Sequence, residues 1–168
     1  TFRFDLTPAM KAEGNVMTVV VTNGVSDIYP QNADFTFYGG LYRDVNFIEV
    51  EEAHFDLLLD GTQAVFVTPH NVGKTRVDLF PVNADSCTVN VELKDAEGNV
   101  VGSASTIPAD HAFVMIDVKN PHLWQGLEDP YCYTCCAAIV NGEEVLDTVT
   151  VTYGYRFFHV NPDNGFHL

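Results

Sequence analysis

Hydrophobic and polar residues alternate in short runs along this chain, and no long stretch has the three-to-four-residue period of a helix. The runs are rich in β-branched and aromatic residues and are separated by turn residues, a pattern typical of β-strands. The predicted strands cover residues 17–22, 41–49, 64–69, 75–82, 87–94, 99–104, 111–118, 132–140 and 145–157.

Two of the predicted connections are tight turns. Residues 95–99 join two strands through a short loop that contains Gly98, and Asn141-Gly142 is the dipeptide most typical of a two-residue hairpin. Strands at this spacing predict an all-β sandwich. The chain divides near Asp60-Gly61, and the seven strands that follow are the number expected for an immunoglobulin-like domain.

The charge of the chain excludes some classes of partner. There are 23 acidic residues against 8 Lys and Arg, which gives a formal net charge of −15. Nucleic acids and anionic membrane surfaces select for basic patches, so neither partner is expected. No apolar run is long enough to cross a bilayer. The chain begins inside a strand-like pattern, so we expect it to be part of a longer protein.

Four cysteines do not have the spacing of a metal site. Cys132, Cys135 and Cys136 lie in one predicted strand, where alternation places Cys135 on the face opposite the other two, and Cys87 is distant. Structural zinc sites use paired Cys knuckles. We therefore expect buried free thiols and no metal, which slightly favours a reducing, cytoplasmic compartment; bacterial periplasm or secretion stays open.

Several short motifs follow one another in a characteristic order. Residues 34–45 read Asp-Phe-Thr-Phe-Tyr-Gly-Gly-Leu-Tyr-Arg-Asp-Val, residues 120–124 read Asn-Pro-His-Leu-Trp, and residues 129–133 read Asp-Pro-Tyr-Cys-Tyr. Residues 153–156 read Tyr-Gly-Tyr-Arg, and residues 165–168 read Gly-Phe-His-Leu. In order and spacing these stretches resemble the family 2 glycoside hydrolases, which include β-galactosidases, β-glucuronidases and β-mannosidases.

The resemblance implies a domain organisation. Residues 1–57 are expected to be the C-terminal part of a sugar-binding jelly roll, and residues 58–160 an immunoglobulin-like β-sandwich. Residues 161–168 are expected to be a linker toward a catalytic barrel that this chain lacks. The physical roles expected for the motif residues are structural: Trp124 fills the end of the sandwich, Arg156 anchors the last strand, and Arg43 pairs with an acid.

The resemblance also implies one substrate-binding residue. In several relatives an aspartate at the position of Asp34 reaches a sugar hydroxyl in the active site, and Asn32 is a weaker candidate in the same loop. A carboxylate can accept two hydroxyl donors, although a loop aspartate that caps a turn is the alternative. The acid cluster at Glu49, Glu51 and Glu52 is interpreted as a solvated surface. No catalytic residue and no cofactor are expected.

Two functions follow from these observations. The first is a non-catalytic portion of a β-galactosidase-like glycosidase, which contributes scaffold and part of the sugar-binding surface. A retaining glycosidase needs two close carboxylates, and the resemblance places both on the absent barrel. The second is a free-standing carbohydrate-binding or adhesion sandwich. The expected partner is a carbohydrate, reached through the parent enzyme, and a homo-oligomer stays open.

Overall fold

A computed structural model describes residues 2–24, 36–71 and 73–168, with the backbone alone at Asn71. Within these ranges the chain is all-β, as predicted, with a single-turn 3₁₀ helix at Thr7–Ala9. No helix in the described ranges is long and apolar enough to cross a membrane. The strands are β1 (His54–Phe55), β2 (Val65–Asn71), β3 (Lys74–Leu79), β4 (Pro81–Val82), β5 (Thr88–Lys94), β6 (Val100–Thr106), β7 (Ala112–Asp117), β8 (Tyr133–Asn141), β9 (Glu144–Tyr153), β10 (His159–Asn161) and β11 (Gly165–His167).

Seven strands form two antiparallel sheets that share one core. One sheet has the order β2-β3-β7 and the other β6-β5-β8-β9. This three-plus-four arrangement is that of an immunoglobulin-like sandwich, which confirms the predicted fold class. Two small antiparallel pairs accompany it, β1 with β4 and β10 with β11. Residues 162–164, in the segment predicted to be a linker, thus form a turn between two short strands that the sequence analysis did not predict.

The chain divides into two compact units. One comprises residues 2–4 with Val50–Leu168 and contains all the strands named above; the other is Asp5–Glu49. In the second unit, the described residues form no sheet ladder, so the strands predicted at 17–22 and 41–49 are wrong. The physical reason is that alternation indicates which face of a segment is apolar, whereas a strand also requires a partner for its N–H and C=O groups.

Alternating apolar side chains build the core of the sandwich. In β3, β5 and β8 every second residue points inward and is buried. In the three-stranded sheet the register pairs Val77 with Val114, and in the four-stranded sheet it pairs Val91 with Ala137. The buried residues of neighbouring strands therefore lie side by side on the face that packs against the other sheet. Each fully buried Val, Leu, Ile or Phe side chain contributes about 1.5–3 kcal/mol to the free energy of unfolding, relative to an exposed one. The largest fully buried side chains are Tyr155, Phe55, Leu79, Leu93 and Ile139.

The two predicted hairpin turns are confirmed. Gly98 has φ +86° between β5 and β6, and Gly142 has φ +63° between β8 and β9, a region that favours glycine. In the first turn, the carboxylate of Asp95 accepts hydrogen bonds from the backbone N–H groups of Asn99 at 2.7 Å and Glu97 at 3.1 Å. Hydrogen bonds from Asn99, first through its side chain, lower the pKa of Asp95.

Candidate functional site

The loop predicted to bind sugar is closed at its base. Asp34 and Asn32 themselves lie outside the described residues. On either side of the loop, the side-chain amide of Asn23 donates to the carbonyl of Phe37 at 3.4 Å. A Cβ on Gly39 would lie 3.1 Å from Nδ2 of Asn23, so glycine allows this close approach. Residues 23 and 37–39 therefore hold together the two ends of the segment that contains both candidates.

The stretch that follows this loop contains a glycine in the left-handed region and an arginine that packs on an aromatic ring. Gly40 has φ +77°, in the left-handed region. The guanidinium of Arg43 lies 5.5 Å from the ring centroid of Tyr42, which in turn packs 5.7 Å from Tyr38. Among the described residues Arg43 forms no ion pair, and its guanidinium lies over an aromatic ring. The predicted pairing with an acid stays a prediction.

Tyr155, rather than Trp124, fills the end of the sandwich. Tyr155 is fully buried, and its hydroxyl lies 2.6 Å from the hydroxyl of Thr75, which is also fully buried. Trp124 is half-buried on the loop that precedes β8, where its backbone N–H donates to the backbone carbonyl of Tyr155 at 2.9 Å. The reason is alternation: Tyr153 and Tyr155 continue the inward-facing row of β9, whereas Trp124 lies outside any strand.

A cleft of about 280 Å³ lies beside Trp124. Arg156 is exposed, and its guanidinium lies 5.6 Å from the centroid of the Trp124 ring, so it covers the indole instead of anchoring the last strand as predicted. Another wall of the cleft is formed by Phe158, just before β10, and Phe166 in β11. Their rings stack with centroids 5.6 Å apart. The cleft is lined by Trp124, Arg156, Phe158, Phe166 and Leu168.

The outer face of the three-stranded sheet has a charged network that the sequence analysis missed. Arg76 donates through Nε and Nη2 to the carboxylate of Asp78, at 3.0 and 2.7 Å. Nε2 of His111 lies 2.7 Å from the same carboxylate. These hydrogen bonds, with that from Arg76 the largest effect, lower the pKa of Asp78. The available signal was the two-residue spacing of Arg76 and Asp78, which places both side chains on one face of a strand.

A second histidine–aspartate pair holds the loop that precedes β8. Nε2 of His122 lies 2.6 Å from a carboxylate oxygen of Asp129, and the His122 ring stacks on Tyr131 at 4.1 Å. The backbone N–H of His122 donates to the hydroxyl of Tyr133 at 2.8 Å. These contacts fix the loop that positions Trp124. Their role is structural, since both side chains are about half exposed and, among the described residues, hydrogen-bond only to each other.

The four cysteines are free thiols. Alternation places Cys135 in the core and Cys136 on the outer face, as predicted, but Cys135 alone is fully buried, whereas Cys87, Cys132 and Cys136 are partly exposed. Burial raises the pKa of Cys135 to about 12. In the part of the chain that the structure describes, no three His, Cys, Asp or Glu side chains lie close enough to hold a metal ion.

Comparison with known proteins relates both the sandwich and the whole chain to one group of enzymes. The sequence model described as "Glycosyl hydrolases family 2" matches residues 62–156. A β-glucuronidase from Bacteroides fragilis is 29% identical, over 99% of this chain and 26% of its own length. A β-galactosidase from Bacteroides ovatus is 31% identical, over 100% of this chain and 20% of its own length.

A solved structure shows the same fold. The crystal structure of the FMN-binding β-glucuronidase from Facaelibacterium prausnitzii L2-6 superposes with a TM-score of 0.74 and 40% identity. It covers 83% of this chain and 22% of the other protein. The chain therefore spans about a quarter or less of the length of the relatives described above.

Proposed function

Because this chain belongs to the glycosyl hydrolases family 2, we propose that it is a non-catalytic portion of a retaining β-glycosidase, which gives scaffold and part of the sugar-binding surface. The family match over residues 62–156 is the observation that supports this most directly, because those residues make up the sandwich. The relatives are about four to six times as long as this chain, which leaves room in them for a separate catalytic domain.

The ionisation of the described carboxyl groups agrees with a non-catalytic role. A glycosidase needs one carboxylic acid whose pKa is raised, so that it can protonate the leaving group. The described carboxyl groups with shifted pKa values are Asp5, Asp78 and Asp95, and hydrogen bonds lower all three. The acid cluster at Glu49, Glu51 and Glu52 is exposed, in keeping with a solvated surface.

We place the domain boundaries where the motifs put them. Residues 1–57 are the C-terminal part of a jelly roll, residues 58–160 are the sandwich, and residues 161–168 lead toward the catalytic domain. Within the jelly-roll portion, Asp34 binds a sugar hydroxyl and Asn32 supports it. The contacts of Asn23 with Phe37 and Gly39 support this proposal, since they bring the two chain segments that flank the candidate residues close together.

The activity is tested by comparing this chain with the full-length gene product that contains it. Both are assayed with nitrophenyl β-glucuronide, β-galactoside and β-mannoside. We expect turnover by the full-length product, on the glucuronide or the galactoside named among the relatives, and none by this chain. Turnover by this chain that a substitution within it abolishes would contradict the proposal. An inactive full-length product that binds polysaccharides would favour the free-standing carbohydrate-binding module.

The role of Asp34 is tested in the full-length enzyme with Asp34→Ala. Loss of a hydrogen bond to a charged group costs about 1.5–3 kcal/mol, so kcat/KM should fall roughly 10- to 100-fold. Asp27→Ala is the matched control, a second aspartate between Asn23 and Phe37, and should leave kcat/KM within about twofold of the original enzyme, because no role in substrate binding is proposed for it. Equal values for the two variants would show that Asp34 does not touch the substrate.

A further inference from the structure

The outer face of the three-stranded sheet combines exposed apolar side chains with polar groups. Alternation in the strands of this sheet points every second side chain away from the core. The register places Phe66 and Phe113 on either side of Asp78, and Met115 beside Arg76. Phe66 is 41%, Phe113 52% and Met115 49% exposed. Neighbouring strands lie about 4.8 Å apart, so the two phenylalanines are about 10 Å apart at the backbone.

The polar groups of this outer face are held in place and keep some of their hydrogen-bonding capacity. Nε and Nη2 of Arg76 donate to Asp78, and no described group accepts a hydrogen bond from Nη1. Asp78 has a lowered pKa and is ionised, so Nε2 of His111 donates to it, which leaves Nδ1 of a neutral His111 ring as an acceptor. The His111 ring stacks on Phe80 with centroids 4.6 Å apart, which fixes its orientation. The outer face therefore offers directed donors and an acceptor next to exposed rings.

The charges of the outer face compensate one another. Arg76 is paired with Asp78, and the register sets Lys74 opposite Asp117. The chain as a whole has a formal net charge of −15, which repels polyanions such as nucleic acids and polyuronates. A face with balanced charges on such a chain is suited to a neutral ligand.

The size of the outer face argues against a second protein subunit. Its three strands have six or seven residues each, which gives a surface of roughly 15 by 20 Å. That is about 300 Å² in plan, whereas a standard protein–protein interface buries about 800 Å² on each partner. An area of this size matches a short oligosaccharide segment better than a folded protein.

We propose that the outer face of the three-stranded sheet binds a neutral oligosaccharide segment of a polysaccharide. A pyranose ring has an apolar face of C–H groups, which packs on an aromatic ring, and a rim of hydroxyls that both donate and accept hydrogen bonds. Phe66 and Phe113 supply the apolar contact. Nη1 of Arg76 donates to a hydroxyl oxygen, and Nδ1 of His111 accepts from a hydroxyl. The choice of a carbohydrate rests on the proposed function, but none of these residues takes part in hydrolysis.

Native gel electrophoresis in the presence of polysaccharides tests this surface. The chain is run in gels that contain a neutral polysaccharide (galactan, mannan or xylan) or anionic polygalacturonate. We expect at least one neutral polysaccharide to retard the chain and polygalacturonate not to. Phe66→Ala and Phe113→Ala should each raise the apparent Kd at least about tenfold. Val145→Ala, at an apolar position of similar exposure in the four-stranded sheet, should leave the Kd within about twofold.

Other outcomes would overturn the proposal. No retardation of the original chain by any neutral polysaccharide would do so without a variant having to fold. Retardation that both phenylalanine variants leave unchanged, with urea unfolding showing that they are folded, would place the binding elsewhere. Retardation by polygalacturonate alone would show a ligand selected by charge. If the chain forms a dimer in sedimentation and Phe113→Ala abolishes that dimer, the face binds a second copy and the proposal is wrong.

Turnover by the full-length gene product separates this proposal from the proposed function. Phe113→Ala in that protein should abolish retardation by the polysaccharide and leave kcat/KM on the nitrophenyl glycosides within about twofold. Turnover by an original full-length protein that no neutral polysaccharide retards would refute the oligosaccharide surface alone. Retardation without turnover would refute the glycosidase assignment while supporting the surface.

Discussion

A pair of buried hydroxyl groups links the two sheets at the end of the sandwich. Thr75 belongs to the three-stranded sheet, and Tyr155 follows the last strand of the four-stranded sheet. Their oxygens are 2.6 Å apart, and the hydroxyl of Tyr153 lies 3.5 Å from that of Tyr155. Burial, with the Tyr155 hydroxyl as the next contribution, raises the pKa of Tyr153, so the Tyr153 hydroxyl stays neutral at physiological pH.

Removing both hydroxyls of this pair should destabilise the protein by less than the sum of the two single removals. Tyr155→Phe leaves the Thr75 hydroxyl buried and unpaired, which costs about 1–3 kcal/mol of unfolding free energy. Thr75→Val should cost a similar amount, and the double variant should cost less than the sum of the two. Urea unfolding of the four proteins measures the coupling. Additive effects would show that the two hydroxyls do not interact.

The Arg76–Asp78–His111 network makes stability depend on acidic pH. The pKa of Asp78 is lowered in the folded protein by its hydrogen bonds to Arg76 and then to His111. The contribution of this carboxylate is therefore complete above its unfolded pKa of about 4, and it disappears as pH falls through the lower folded pKa.

Substitution of Asp78 should remove part of this acid sensitivity. In Asp78→Asn, unfolding free energy at pH 7 should fall by about 1–2 kcal/mol, because the amide loses the charge-assisted hydrogen bonds. Between about pH 5 and pH 3 the difference from the original protein should shrink. Chemical denaturation at several pH values measures this, with Asp163→Asn in the exposed β10–β11 turn as control. A constant difference at every pH would contradict the assignment.

At the level of elements, a glycine sets the geometry of the turn that precedes β3. Gly73 has φ +85°, and its carbonyl accepts the N–H of Val118 at 2.7 Å. A Cβ at this position would overlap the carbonyl oxygen of Val118. Gly98 has a similar φ of +86°, but a Cβ there would meet nothing within 4 Å. The two glycines therefore have a similar positive φ, but only Gly73 has a neighbouring backbone atom where a Cβ would lie.

Alanine substitutions at these two glycines should therefore separate the cost of a side chain at positive φ from the cost of steric overlap. Each substitution places a side chain in the left-handed region, which costs about 1–2 kcal/mol. Gly73→Ala should cost at least about 1 kcal/mol more than Gly98→Ala, because overpacking against a backbone atom cannot be relieved by a rotamer change. Thermal and urea unfolding measure the difference. Equal destabilisation would mean that the backbone near Val118 moves aside freely.

The elements of the sandwich could be predicted from the sequence because local signals and tertiary packing agree there. Strand β5 alternates Val89, Val91 and Leu93 with polar residues, and that apolar face is the buried one. The alternation at 17–22 and 41–49 is similar, yet the described residues there form no ladder, because partners are not encoded in a segment's own pattern. The β10–β11 hairpin escaped prediction because its strands are only three residues long.

Residues of the candidate site were less predictable for a related reason. The glycine requirement of a tight turn is local, so Gly98 and Gly142 were predicted correctly from their sequence context. The Asp78–His111 contact and the Trp124–Arg156 contact each join positions more than thirty residues apart. Such pairs come together only in the folded sandwich, so no local pattern in the sequence reveals them. The resemblance to a family could supply Asp34, but no local pattern in the sequence specifies what its carboxylate contacts.

At the level of the whole molecule, the two units should differ in stability. The unit at Asp5–Glu49 has no sheet ladder among its described residues, and many of its apolar side chains, such as Val20 and Phe47, are exposed. The sandwich has paired strands and a buried core. Opening free energies within one protein range from near zero to the global value, and they follow buried contacts and paired backbone.

Amide hydrogen exchange should therefore be faster throughout residues 5–49 than in β3, β5 and β8. We expect at least a hundredfold difference in median rate, because core strands exchange only through openings that cost several kcal/mol. The edge strand β6 is an internal control and should exchange at intermediate rates. Uniformly high protection in both units would show that residues 5–49 have a stable fold of their own.

The chain contains a single tryptophan, and its position gives the molecule a built-in optical signal. The indole of Trp124 is half-buried at the cleft, with the Arg156 guanidinium over its ring and the Phe158–Phe166 stack nearby. Its emission wavelength and its quenching by iodide therefore report on this one location. Any partner that fills the cleft should shift the emission to the blue and protect the indole from quencher, without a label and without disturbing the sandwich.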